Sequence, residues 1–225
     1  MLISEEVMLL VLDPSGRRRA HAPYLAHGLA GGVLLDLLAL GRVDVTDGPR
    51  EGVKAGRLLV LDTSPTGVDV LDAGLERIAR LHGRKPQDAV QRLTKNMPRA
   101  VLERLARQGV VRAVHGRVLG IFPTTSWPIR DPRETEALRR ALRDVVVGGR
   151  RPTEREASLV SLLQAVDAVP GVLGDVGLSK REVRRRAKDV AAGNAAGAAV
   201  HKAVQAIQAA AAGAAAAAAA GAAAG

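Results

Sequence analysis

Only one Trp, one Tyr and one Phe occur among 225 residues, and no Cys at all. A core without aromatic mass has to be built from Leu, Val, Ile and Ala. Ala and straight-chain Leu lose little or no rotamer freedom in a helix, so such a core favours helices. The length suggests one domain, long enough to bury a substantial core. The lack of Cys excludes disulfide frameworks, thiolate metal sites and cysteine nucleophiles, and is compatible with a reducing compartment.

The apolar pattern along the chain sets out the elements. Ser4 reads as a cap for a short helix led by Glu5 and Glu6, and Val7 to Leu12 reads as buried. Asp13-Pro14-Ser15-Gly16 reads as a turn, followed by the basic cluster Arg17-Arg18-Arg19. Leu25, Leu29, Val33 and Leu37 repeat at helical spacing, widened by Leu34, Leu38 and Leu40. Gly28, Gly31 and Gly32 lie inside that helix, where each costs about 1 kcal/mol against Ala, and they read as sites of close helix packing. Residues 42–45 and 57–61 read as a small strand pair. Helices are expected over 69–81, around Val90 and Leu93, from Pro98 to a stop at Gly109, over 131–147, after Pro152, and after a Ser179 cap. Between them, Val110–Val114 and Arg117–Phe122 flanking His115-Gly116 read as a β-hairpin. The fold expected is mostly α, a single helical domain over residues 1–208 with small β-hairpin elements. Residues 209–225 form a low-complexity Ala/Gly tail.

Formal net charge is +10. A basic surface attracts polyanions such as phospholipid headgroups or nucleic acid. The abundance of Arg, Ala, Gly and Val also fits a high-GC genome, and the composition reads as bacterial. No signal peptide or membrane-spanning run is evident: Glu5 and Glu6 stand where a basic n-region belongs, and Leu29–Leu40 is too short and carries Asp36. The expectation is a cytoplasmic protein that meets membranes at its surface.

Motifs for chemistry are sparse. Gly28-Leu29-Ala30-Gly31-Gly32 lacks the dinucleotide spacing. The five His form no i, i+4 pair of a zinc helix. Ser158 and Ser161 sit on a helix rather than a nucleophile elbow. Glu103 and Arg107 read as a surface pair. The reading is non-enzymatic, with no catalytic residue, metal or cofactor. One alternative is a winged-helix-like nucleic-acid-binding protein, with Arg92, Lys95, Arg99, Arg104 and Arg107 facing phosphates. A third reading is a scaffold that forms a homo-oligomer through the hairpin.

The opening, Ser4-Glu5-Glu6-Val7-Met8-Leu9-Leu10-Val11-Leu12-Asp13-Pro14-Ser15-Gly16, resembles the start of Golgi phosphoprotein 3-like (GPP34) proteins. The likeness continues through Gly28–Gly32, Leu35–Val43, Glu103-Arg104-Leu105, Gly109-Val110-Val111 and Leu119–Pro128. It implies a mostly helical domain with a β-hairpin at its membrane face. It further implies a peripheral membrane protein that binds anionic lipid, phosphatidylinositol 4-phosphate in eukaryotic members, where it acts at the Golgi. Aligned on Gly28 and Gly109, the headgroup positions of that family fall on His21, Ala30, Lys95 and Pro98. Lys95 keeps the basic chemistry, and Arg99 is the neighbouring cation. The resemblance thus assigns the headgroup to His21, Lys95 and Arg99. On the same reading Val118, Leu119, Ile121 and Phe122 are expected to form the membrane-contacting hairpin.

Overall fold

A computed structural model describes residues 1–193 apart from 21, 23, 51 and 119–121, together with residue 212; the side chains of residues 117, 118, 122 and 123 are also outside the description. Two helices form the centre, α1 (Ile3–Val11) and α2 (Leu25–Ala39). Both are apolar on nearly every side, as a helix must be when other helices surround it. Val7, Leu10 and Val11 of α1 and Leu29, Val33, Leu34 and Leu37 of α2 are fully buried. The two helices meet at Gly32. A Cβ there would lie 2.7 Å from the Ser4 backbone N and 2.8 Å from its Cα. The glycine is what allows the backbones to approach this closely.

Around that pair lie α3 (Asp69–Ile78), extended by a 3-10 turn over Ala79–Leu81, α4 (Pro86–Leu93), α5 (Met97–Arg107), α6 (Arg133–Val146), α7 (Glu154–Ala165), a short α8 (Val169–Leu173) and α9 (Lys180–Ala192). Most of their inward positions are those the spacing predicts: Leu71, Leu75 and Ile78; Val90 and Leu93; Val101 and Leu105; Leu159, Leu162, Leu163 and Val166. Leu102, which the spacing also places inside, is half-buried. Thr153 accepts from the Glu156 amide and Glu156 bonds back to Thr153, so α7 opens on a capping box. Ser179 caps α9 by accepting from the Glu182 amide. Strands β1 (Val43–Val45) and β2 (Leu58–Val60) pair antiparallel, as do β3 (Val114–Val118) and β4 (Phe122–Ser126). The protein is therefore a mostly α domain, with two small two-stranded sheets among the described residues. Among the described residues no helix is long and apolar enough to cross a membrane.

Four local expectations are corrected. Ser4 does not cap α1: it lies inside the helix, buried, and its hydroxyl has no partner. The Ile3 amide instead donates to Asp36 of α2, at 3.2 and 3.0 Å to its two oxygens. Leu40 lies beyond the end of α2 and is exposed. Glu103 pairs with Arg99 at 2.7 Å, and Arg107 pairs with Asp69 across to α3. The second hairpin does not turn at His115-Gly116. His115 pairs with Thr125 and Gly116 with Thr124, both inside the ladder, and the strands join through residues 119–121. A two-residue turn at that site would need positive φ at Gly116, which Gly116 does not have. The bond between His115 Nδ1 and Thr125 Oγ1, 3.1 Å, locks the observed register.

Asp36 gives the fold a pH signature. Burial raises its carboxyl to about 6, against the lowering pull of the Ile3 amide. The unfolded carboxyl titrates near 3.8, so the folded state holds the extra proton between these values. The sign follows from linkage: this contribution is fully present below about pH 4 and is lost as pH rises through 6. Asp36→Asn removes the titration. Thermal melts of parent and variant should therefore differ in pH slope between pH 4 and 6, by an integrated amount of about 2–3 kcal/mol, and run parallel above pH 7.

Candidate functional site

The Asp13–Gly16 turn does more than reverse the chain. The Asp13 amide donates to the Arg17 carbonyl at 2.8 Å, the Gly16 amide to the Asp13 carbonyl at 2.9 Å, and the Arg19 amide to the Val11 carbonyl at 2.8 Å. Asp13 Oδ1 accepts from the Ser15 hydroxyl at 2.6 Å and from the Arg17 amide at 3.1 Å. The Ser15 bond holds the Asp13 carboxyl below its usual range. This small, self-bonded loop is clamped to the segment leaving β4. Ile129 donates to the Pro14 carbonyl at 3.1 Å, and Trp127 to that of Gly16 at 3.5 Å. Arg17 and Arg18, at the loop's outgoing edge, are both exposed. Neither guanidinium makes an ion pair among the described residues, whereas Arg19 lies 3.7 Å from Glu136.

The clamp leaves a cavity of about 510 Å³ between five chain segments. Its inner wall is Met8 of α1, Leu12 just after that helix and Leu25 at the start of α2. One side is Pro98 and Leu102 of α5. Arg17 and Arg18 stand at the second side, and Thr124, Thr125, Ser126 and Trp127 close the third. The site thus has a buried aliphatic floor, a half-buried indole, two uncommitted guanidiniums and three hydroxyls. Guanidinium presents paired N–H donors in a rigid fork that matches phosphate oxygens, so the chemistry offered is recognition of a phosphate-bearing group. Nothing in the lining supplies a general base or nucleophile pair.

The β3–β4 hairpin rises beside this cavity. His115, Gly116, Thr124 and Thr125 are all exposed, so the described part of the hairpin stands off the body rather than lying on it. Its base is tied down by the Val111–Ile129 bridge and by the Arg112 amide donating to Pro128 O at 3.0 Å. Val118 and Phe122 form the last paired register of the ladder. Leu119 and Ile121 lie outside the described residues, in the connection beyond that pair.

The headgroup positions assigned from sequence distribute unequally. Pro98 lines the cavity. Lys95 and Arg99 flank it in sequence and are exposed, but neither lines it. Arg99 is engaged with Glu103, and the Lys95 ammonium makes no ion pair among the described residues. Ala30 is fully buried in the core. His21 lies outside the described residues, between the lining positions Arg18 and Leu25 in sequence. The residues that sequence reasoning left without a role are Arg17 and Arg18. Their cluster was visible as such, and what was not visible was that the turn carrying them docks onto Trp127. The cations offered to a nucleic acid are largely committed elsewhere: Arg104 bonds Glu5 at 2.9 Å and Asp69 at 3.0 Å, and Arg107 bonds Asp69.

Fold and cavity together define a helical domain with a projecting hairpin and an open cavity edged by Arg17 and Arg18. Residues 3–207 match the family model described as Golgi phosphoprotein 3 (GPP34). The chain belongs to that family.

Proposed function

We propose that this chain is a non-enzymatic peripheral membrane protein that binds anionic phospholipid. The single observation that supports this best is the placement of two arginines without an ion pair among the described residues, and three hydroxyls, around an apolar-floored cavity at the foot of a projecting hairpin. In this reading Arg17 and Arg18 take the phosphate, with Lys95 and Arg99 adding attraction from the flank and His21 at the rim. Val118, Leu119, Ile121 and Phe122 enter the headgroup layer. Basic residues near an anionic leaflet contribute about 1 kcal/mol each, and shallow apolar insertion adds to that. By resemblance, phosphatidylinositol 4-phosphate is the lipid that this site takes, with the Golgi as the membrane in eukaryotic relatives.

Co-sedimentation with vesicles tests the reading. The protein should pellet with vesicles that contain anionic lipid and stay in solution with neutral ones. Pelleting should fall steeply between about 0.05 and 0.5 M salt, as the screening length shrinks from more than 10 Å towards 3 Å. Replacing generic anionic lipid by an equal charge of phosphatidylinositol 4-phosphate should increase binding if the phosphomonoester is recognised. Lack of pelleting with every anionic composition at low salt would rule the proposal out, and salt-sensitive duplex binding in its place would favour the nucleic-acid reading.

A further inference from the structure

The cavity is larger and more apolar than a phosphate needs. Sites that hold organic molecules span roughly 300–1,000 Å³, and this one measures about 510 Å³. Met8, Leu12 and Leu25 at its back are among the most buried residues of the chain, at 2%, 4% and 3% exposure. Leu102 and Trp127 are half-buried and present apolar surface to the same space. Here the donors, Arg17, Arg18 and the three hydroxyls, are contributed by the turn and β4, while α1, α2 and α5 contribute only aliphatic surface and Pro98. The division between a cationic edge and an aliphatic interior matches an amphiphile, with its anion at the arginines and its hydrocarbon against the helices.

We propose that this cavity accommodates a phosphate monoester carrying a single alkyl or acyl chain, the phosphate on Arg17 and Arg18 and the first part of the chain against Met8, Leu12, Leu25 and Leu102. This rests on the reading of the cavity as the phosphate site, and extends it from a surface contact to capture of one lipid-like molecule. Each methylene buried against the floor strengthens binding by roughly three- to fourfold. Affinity should therefore climb with chain length until the cavity is full and level off beyond that point.

Trp127 is the sole Trp of the chain and lines the cavity, so its emission reports occupancy. The probes are inorganic phosphate, butyl phosphate, octyl phosphate and octanol, each below its aggregation threshold. Octyl phosphate should shift Trp127 emission to the blue and bind at least tenfold more tightly than butyl phosphate, with inorganic phosphate and octanol weaker than either. Arg17→Ser/Arg18→Ser should weaken octyl phosphate at least tenfold, and Leu102→Gln should flatten the difference between butyl and octyl chains. Leu102 is only half-buried, and a thermal melt of each variant confirms folding. Equal affinity for inorganic and octyl phosphate would overturn the proposal, because the floor would then be idle. Equal affinity for octanol and octyl phosphate would also overturn it, because the arginines would then be idle. Pelleting with anionic vesicles but no octyl phosphate binding sinks this inference and leaves the membrane reading standing. Octyl phosphate binding without pelleting does the reverse.

Discussion

Gly16→Ala should cost this protein about 3–5 kcal/mol and displace the turn that carries the proposed anion-binding arginines. Gly16 sits at φ +78°, a left-handed conformation that costs an L side chain about 1–3 kcal/mol. A Cβ on Gly16 would also fall 2.1 Å from the carbonyl carbon of Trp127 and 2.4 Å from the Pro128 nitrogen. Both are backbone atoms, so no rotamer change relieves the overlap, and the Asp13–Gly16 turn has to move off the chain leaving β4. Gly41 separates the two effects. It has φ +65° with nothing within 4 Å of its missing Cβ, so Gly41→Ala bears the conformational cost alone. A thermal melt should show Gly16→Ala lowered by about 6–20 °C and Gly41→Ala by less, about 2–12 °C. Equal shifts would mean that the contact between the turn and Trp127 is not tight.

The second large effect is expected at Arg139. This is the largest fully buried side chain among the described residues, and burial holds its guanidinium below the ordinary arginine value. Its Nη2 donates to the carbonyls of Leu10 and Leu12 at 3.1 and 3.4 Å, at the end of α1, while Nη1 pairs with Glu136. The last carbonyls of a helix have no partner within it, and a cation there also complements the helix dipole. Arg139→Met keeps most of the volume but leaves two buried acceptors without a donor and Glu136 with only the longer contact to Arg19, a loss of about 3–4 kcal/mol. The melting temperature should fall by about 6–15 °C. Arg139→Lys should recover only part of this, since one ammonium cannot reproduce the fork. A variant as stable as the parent would show that α1 ends without help from α6.

Asp36 and Arg139 explain why the sequence is legible in some places and not in others. Helix positions follow from local periodicity, so the buried faces of α2, α3, α5 and α7 were readable from Leu and Val spacing. Turns that close on themselves, such as Asp13–Gly16, were readable too. The ends of α1 were not: Ser4 is the usual kind of capping residue, yet the helix starts before it, the Glu6 amide already bonds the Leu2 carbonyl, and the end amide of Ile3 is met by Asp36, 33 positions away. The hairpin register failed for a similar reason. His115-Gly116 is a good local turn signal, and it lost to cross-strand pairing with Thr124 and Thr125. The cavity was half legible. Pro98 and the hairpin region were placed by resemblance, but Arg17 and Arg18 become part of a site only once the turn bearing them is clamped to Trp127.

The central claim is that these two arginines recognise an anionic lipid. Vesicle co-sedimentation of Arg17→Ser/Arg18→Ser beside the parent chain tests it most directly. Both positions are exposed, so the variant should melt at the parent temperature. With anionic vesicles at low salt, its partition coefficient should fall by roughly 10- to 30-fold, the loss of two basic residues at about 1 kcal/mol each. Parent-like pelleting by this variant would contradict the account and move the anion site away from the cavity.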